Sequence, residues 1–163
     1  MKSYSLNLLH ILLLLSAVGC FYFASQEAPR RTIKFGRMLR SPAFALLAAL
    51  LLTFFQVGMK QPIWPPLAAL TLGLAAGATR GFTMKLAIDE YWLVVRPGPR
   101  RPLLVWVAAL LVLAVAVDIA GALVGPAMGR DWRFGAALVA AGCAGFLLGR
   151  GLALMTRVWR FSR

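Results

Sequence analysis

Acidic side chains are scarce in this chain: five Asp and Glu stand against eighteen Lys and Arg in 163 residues, a formal net charge of +13. Histidine occurs once and cysteine twice. Each shortage excludes something. A lone His10 cannot supply the several ligands of a metal or bis-histidine heme site, and it reads as a hydrogen-bonded side chain near a membrane interface. Cys20 and Cys143 have no CxxC spacing and fall inside apolar runs, so neither a disulfide framework nor a thiolate metal site follows. Cysteines so placed serve as small packing residues. No serine-histidine-carboxylate set, phosphate-cradling loop or zinc spacing occurs. The expectation is a non-enzyme with no cofactor, catalytic residue or metal site.

What the chain has in abundance is apolar surface. The hydrophobic fraction is 61 % and the mean hydropathy +0.78, above the roughly 45–50 % apolar content of soluble domains. Apolar runs fall at about Asn7 to Ala24, Pro42 to Met59, Ile63 to Thr79, Leu103 to Val124 and Gly135 to Thr156. About twenty helical residues cross a hydrocarbon layer of ~30 Å, and a helix satisfies its own backbone polar groups where lipid cannot. The sequence therefore predicts an all-α transmembrane bundle of five helices, one integral membrane domain over residues 1–163.

The positive charge is distributed unevenly. Arg30, Arg31, Lys34, Arg37 and Arg40 follow the first run, and Arg80, Lys85, Arg96, Arg100 and Arg101 follow the third. Arg157, Arg160 and Arg163 follow the fifth, while Lys2, Lys60, Arg130 and Arg133 fall on the alternate side. Lys and Arg accumulate on the cytoplasmic side of membrane proteins, so the N-terminus is expected outside and the C-terminus in the cytoplasm. Anionic headgroups are the expected partner of the basic side; nucleic acid is not. The stretch LLLLSAVGC ending at Cys20 resembles a lipoprotein cleavage box. Cleavage there would export the five cations that follow, so the first helix is read as uncleaved.

Between the third and fourth runs the period changes. Phe82, Met84, Leu86 and Ile88 alternate with Thr83, Lys85 and Ala87, and YWLVVR follows Asp89 and Glu90. Period two predicts a short cytoplasmic β-hairpin over about 82–96. The competing reading is an amphipathic helix lying in the interface. Either way Trp92 suits the headgroup level, and Arg100 and Arg101 anchor the next helix.

Small residues recur at four-residue spacing: Gly73, Gly77 and Gly81, then Gly121 and Gly125, then Gly145 and Gly149. Close backbone approach drives helix packing in lipid, so the third, fourth and fifth helices are expected to form the tight core. The segments RSPAFALLAALLLT and RRPLLVWVAALLVL echo each other, as do WPPLAALTLGLAAGATRG and WRFGAALVAAGCAGFLLG. A duplicated two-helix unit is the architecture this suggests.

Asp118 is the leading candidate for an intramembrane polar site, since a carboxylate within a transmembrane helix is costly unless neutral, paired or wetted. His10 and Gln56 are its candidate partners in the outer half, with Lys60, Arg130 and Arg133 reachable if the fourth helix is short. Arg150 is read as an interface anchor that snorkels to the headgroups.

The order of parts resembles a known family. The basic linker PRRTIKFGRMLRSPAF, then PIWPPLAA, the glycine-rich helix, MKLAIDEYWLVVRPG and the closing RVWR together resemble the CcdC-like family of small bacterial membrane proteins, named for proximity to cytochrome c maturation genes. The resemblance implies a five-helix inner-membrane protein with a cytoplasmic hairpin and carries over no catalytic residue. The function expected is an accessory or scaffolding role, self-associating or bound to a membrane-protein partner. The alternative is a small transporter or proton-coupled carrier using Asp118, and a weaker one a redox or heme accessory.

Overall fold

The computed structural model describes residues 8–27, 33–34, 39–58, 62–84, 86–89, 94–97, 102–124 and 126–161. They form five helices, α1 (Leu8–Glu27), α2 (Arg40–Gly58), α3 (Trp64–Thr83), α4 (Pro102–Val124) and α5 (Pro126–Phe161), and three short strands, β1 (Ile33–Lys34), β2 (Leu86–Asp89) and β3 (Val94–Pro97). Among the described residues, three helical stretches are long and apolar enough to cross a membrane: Leu8–Glu27, Leu103–Val124 and Gly129–Arg157. Arg40–Phe54 is a shorter apolar helix. The helix α3 is not among these apolar stretches, diluted as it is by Trp64, Pro65, Pro66, its glycines and Arg80.

Local sequence explains the helix ends. Pro65 and Pro66 sit in the first turn of α3, where a missing N–H costs nothing. Met84 then turns extended, with φ −67° and ψ 133°, and closes the helix. Pro126 opens α5 one residue after α4 ends, with Gly125 alone between them. At 36 residues, α5 is about 54 Å long and exceeds a hydrocarbon layer of ~30 Å. The expected span from Gly135 to Thr156 is therefore only its apolar middle; the polar residues Arg130, Asp131 and Arg133 continue the same helix.

Contacts between helices give their directions. Gly73 of α3 meets Gly142 of α5, Gly77 meets Phe146 and Gly81 meets Arg150 and Ala153, so the two helices run parallel. On α4, Gly121 meets Gly129, and Asp118 meets Arg133, an antiparallel match with α5. Glu27 at the end of α1 meets Arg150, and Pro42 at the start of α2 lies by Gly151. Thus α1, α3 and α5 share one direction, and α2 and α4 the other.

The core corrects two expectations. The hub is α5, which packs against α2, α3 and α4, while α1 packs on α2 and α4. The third and fourth helices do not share the tight core; α3 docks on α5 alone to any large extent. The echo between the two halves also lacks matching packing: α4 and α5 pack as a hairpin, but α2 and α3 each pack on α5 rather than on one another. Apolar low complexity can produce such an echo without a common unit. Leu13, Cys20, Leu52, Leu111, Val115, Leu147 and many alanines fill the interior.

The strands form one antiparallel sheet in the order β1-β3-β2. Ile33 pairs with Val95, and Leu86 pairs with Pro97 across to Asp89 with Val94. The connection after α1 and the connection after α3 thus meet in one sheet.

Candidate functional site

Among the described residues, two ion pairs, both built on arginines of α5, organise the polar groups inside the bundle. In the first, Arg133 Nε donates to Asp118 Oδ1 at 2.8 Å. The Asp118 side chain is fully buried and that of Arg133 is 17 % exposed. Gly121, one turn along α4 from Asp118, makes the pair feasible. A Cβ there would lie 2.8 Å from Arg133 Cγ, so the missing side chain is the space through which the arginine stem passes. Gly129 in turn abuts the Gly121 carbonyl, holding the helices close enough for the reach. Asp118 Oδ2 has no hydrogen-bond partner among the described residues.

In the second pair, Arg150 Nη2 donates to Glu27 Oε1 at 3.0 Å, and both side chains are 6 % exposed. This corrects the reading of Arg150 as an anchor reaching for headgroups. It is enclosed between helices, where its charge is met by an acid that lies three residues beyond the expected end of the first helix. Because α1 packs on α2 and α4, the pair ties α1 directly to the hub. Breaking a buried pair by removing one partner leaves an uncompensated charge and costs about 3–5 kcal/mol.

The pairs are seventeen residues apart along α5, from Arg133 to Arg150. At the helical rise that is about 26 Å, close to the thickness of a hydrocarbon layer.

A third arginine on α5 acts at the end of α3. Arg157 Nη1 donates to the carbonyl oxygens of Gly81 at 3.2 Å, Phe82 at 3.2 Å and Met84 at 2.6 Å. The last carbonyls of a helix have no partners of their own and carry the negative end of its dipole. Arg157 meets both needs and fixes where the chain leaves α3 toward β2.

Of the glycines singled out by spacing, Gly73, Gly77 and Gly81 face α5, and Gly145 and Gly149 abut the backbone of α3 at Leu70 and Leu74. Both rows are therefore occupied within the chain. Gly129 and Gly142 belong to the same contacts and escaped the spacing search, although Gly142 precedes Gly145 by three residues, the other helical neighbour distance. His10 lies in the first turns of α1, half-buried. Gln56 is described by its backbone within α2, and Trp92, Arg100, Arg101 and Gly125 lie outside the described residues. Cys20 and Cys143 are free and buried. Among the described residues, no group of three or more His, Cys, Asp or Glu side chains gathers in one place.

The long apolar helices are compatible with an integral membrane protein. No family model, curated protein or solved structure matches the chain.

Proposed function

We propose that this chain is a non-enzymatic scaffold or accessory protein of the bacterial inner membrane, crossing it five times with the N-terminus outside and the C-terminus in the cytoplasm. The observation that carries the reading is the use made of the two buried carboxylates. Asp118 and Glu27 are each neutralised by an arginine of the hub helix, so the interior charges join helices together. Five crossings are supported by the alternating helix directions and by α3 lying parallel to the apolar middle of α5 from Gly73 to Gly81. The orientation is supported by the sheet, which draws the basic connections after α1 and α3 to one side, and by the cytoplasmic preference of Lys and Arg. In this reading the sheet is a cytoplasmic plate facing anionic headgroups or a partner. Membership of the CcdC-like family is part of the same proposal and rests on the quoted segments.

The carrier reading has one observation in its favour, the buried Asp118 Oδ2 without a hydrogen-bond partner among the described residues, since an open carboxylate oxygen can take a proton or a donor. Two measurements separate the readings. A cysteine placed at Asp89 is expected to resist an impermeant maleimide in intact cells; ready labelling from outside overturns the orientation. Asp118→Asn combined with Arg133→Met, which leaves no uncompensated buried charge, is expected to leave growth and solute uptake unchanged; loss of uptake at normal expression overturns the scaffold reading in favour of the carrier.

A further inference from the structure

The inner face of α1 repeats at three- and four-residue intervals: His10, Leu13, Ala17, Cys20, Ala24 and Glu27. Its first member is half-buried as a residue, yet both ring nitrogens of His10 are buried. The imidazole therefore turns its polar edge into the bundle and leaves carbon toward the surface.

What that edge meets follows from register. On α5 a matching stripe runs through Arg133, Ala136, Ala140, Cys143, Leu147 and Arg150, and the two helices share one direction. Glu27 binds Arg150 at one end. Seven residues back on each helix stand Cys20 and Cys143, close enough for a charge on one to be felt at the other, so the match persists along the helices. Seventeen residues back from the pair stand His10 on α1 and Arg133 on α5, about 26 Å away on both helices. Arg133 holds Asp118 of α4, and α4 packs directly on α1. His10, Asp118 and Arg133 thus occupy one level, at the end of the bundle opposite Glu27.

Asp118 gives Oδ1 to Arg133 and keeps Oδ2 buried, with no hydrogen-bond partner among the described residues. It is the single titratable residue of α4, and the single charge of α2, Arg40, lies at the other end of the bundle. On α5 the other charges near this level, Arg130 and Asp131, are exposed. Across the contact between α1 and α4, the open carboxylate oxygen therefore has one titratable counterpart, an inward-facing imidazole. A proton needs no cavity between them: it occupies a lone pair already present and turns an imidazole nitrogen from acceptor to donor.

We infer that His10 and Asp118, with Arg133, form a proton-binding site, in which a proton taken from water by the imidazole is held against the open Asp118 oxygen and draws the start of α1 onto α4. Histidine changes charge between about pH 5 and 8, so the contact tightens in acid and slackens in mild alkali. The folded chain holds this proton more firmly than the unfolded chain, so the stability it contributes is present at low pH and lost as pH rises. The inference goes beyond the scaffold reading: the proton regulates a helix contact. In the proposed topology this end faces the outside, where the medium sets the pH, but the site does not depend on that orientation.

The chain has one histidine, so an untagged full-length protein carrying 15N in histidine and 13C in the aspartate carboxyls reports the contact directly. Solid-state NMR is expected to show dipolar dephasing between the two labels at about pH 5.5, where an N–H donates to a carboxylate at about 3 Å. The dephasing is expected to fade at about pH 8 and to be absent from Asp118→Asn/Arg133→Met, which leaves no uncompensated buried charge. Thermal unfolding in detergent supplies the energetic measurement. The folded-to-unfolded ratio of the parent relative to His10→Gln is expected to be about tenfold greater at about pH 5.5 than at about pH 8. In the Asp118→Asn/Arg133→Met background the same comparison is expected to change less than about twofold. The dephasing measurement holds even where His10→Gln does not fold. No dephasing in the parent at either pH, dephasing that survives Asp118→Asn/Arg133→Met, or a parent whose ratio to His10→Gln is level or rises with pH overturns the site.

Discussion

Glu27→Gln strips the negative partner from a guanidinium that is 6 % exposed. At 3.0 Å and an effective dielectric of about 20, the lost attraction is about 5–6 kcal/mol before desolvation is counted. Removal of one member of an enclosed pair costs about 3–5 kcal/mol in practice. The chain carries its own reporter: its only cysteines, Cys20 on α1 and Cys143 on α5, are both buried and free. Maleimide labelling in detergent therefore follows the opening of each helix separately. If the pair ties α1 to the hub, Glu27→Gln accelerates Cys20 labelling by about 10² to 4 × 10³-fold, each 1.4 kcal/mol giving tenfold, with a smaller effect at Cys143. Glu27→Gln combined with Arg150→Met removes both charges and returns the rate most of the way, because apolar replacement of a whole buried pair is close to neutral. A single variant that labels within about threefold of the parent, or a double variant as labile as the single, would refute the reasoning.

The same logic extends to three other places. Gly77→Ala puts a methyl group on the Phe146 carbonyl and is expected to lower stability by about 1–3 kcal/mol through forced separation of α3 from α5. Gly135→Ala meets nothing within 4 Å and should raise stability by about 0.5–1 kcal/mol through helix propensity; equal effects at the two sites in thermal melts would contradict the packing. Gly121→Ala meets Arg133 Cγ and should destabilise the parent more than it destabilises an Asp118→Asn/Arg133→Ala background, which lacks that stem, by about 1 kcal/mol or more, measured as a double-mutant cycle. Arg157→Met frees the carbonyls of Gly81, Phe82 and Met84, and hydrogen exchange should rise at the last turn of α3 while the middle of that helix keeps its protection.

The existence of five apolar helical segments was legible because hydropathy and proline placement are local properties of the chain. How they pair was not. Docking of α3 on α5 depends on glycine backbones matched across about seventy residues, and a four-residue glycine spacing says that a helix has a close neighbour without saying which. The polar ends of α5 were missed for a related reason: Arg130, Asp131 and Arg133 break the apolar pattern, although Pro126 directly after Gly125 is a helix-start signal. Asp118 was legible as an expensive residue, and Arg133 stood among its reachable partners, but choosing it over His10 and Gln56 required the α4–α5 register. Glu27 lay hidden beyond the last apolar residue of the first segment. Depth along the helix suggested an interfacial lysine-like role for Arg150, and depth carries no information about an acid on another helix.

The weak apolarity of α3 has a consequence for how such a protein is made. Its glycine face finds complementary backbone on α5, which the ribosome produces later, after the sheet-forming segment and α4. In the proposed topology α3 is therefore a poor substrate for membrane integration when it first emerges, and waits at the insertion machinery or the lipid surface for the final helix to arrive. A chain shortened before Pro126 would leave α3 open to alkaline extraction, while α1 stayed embedded.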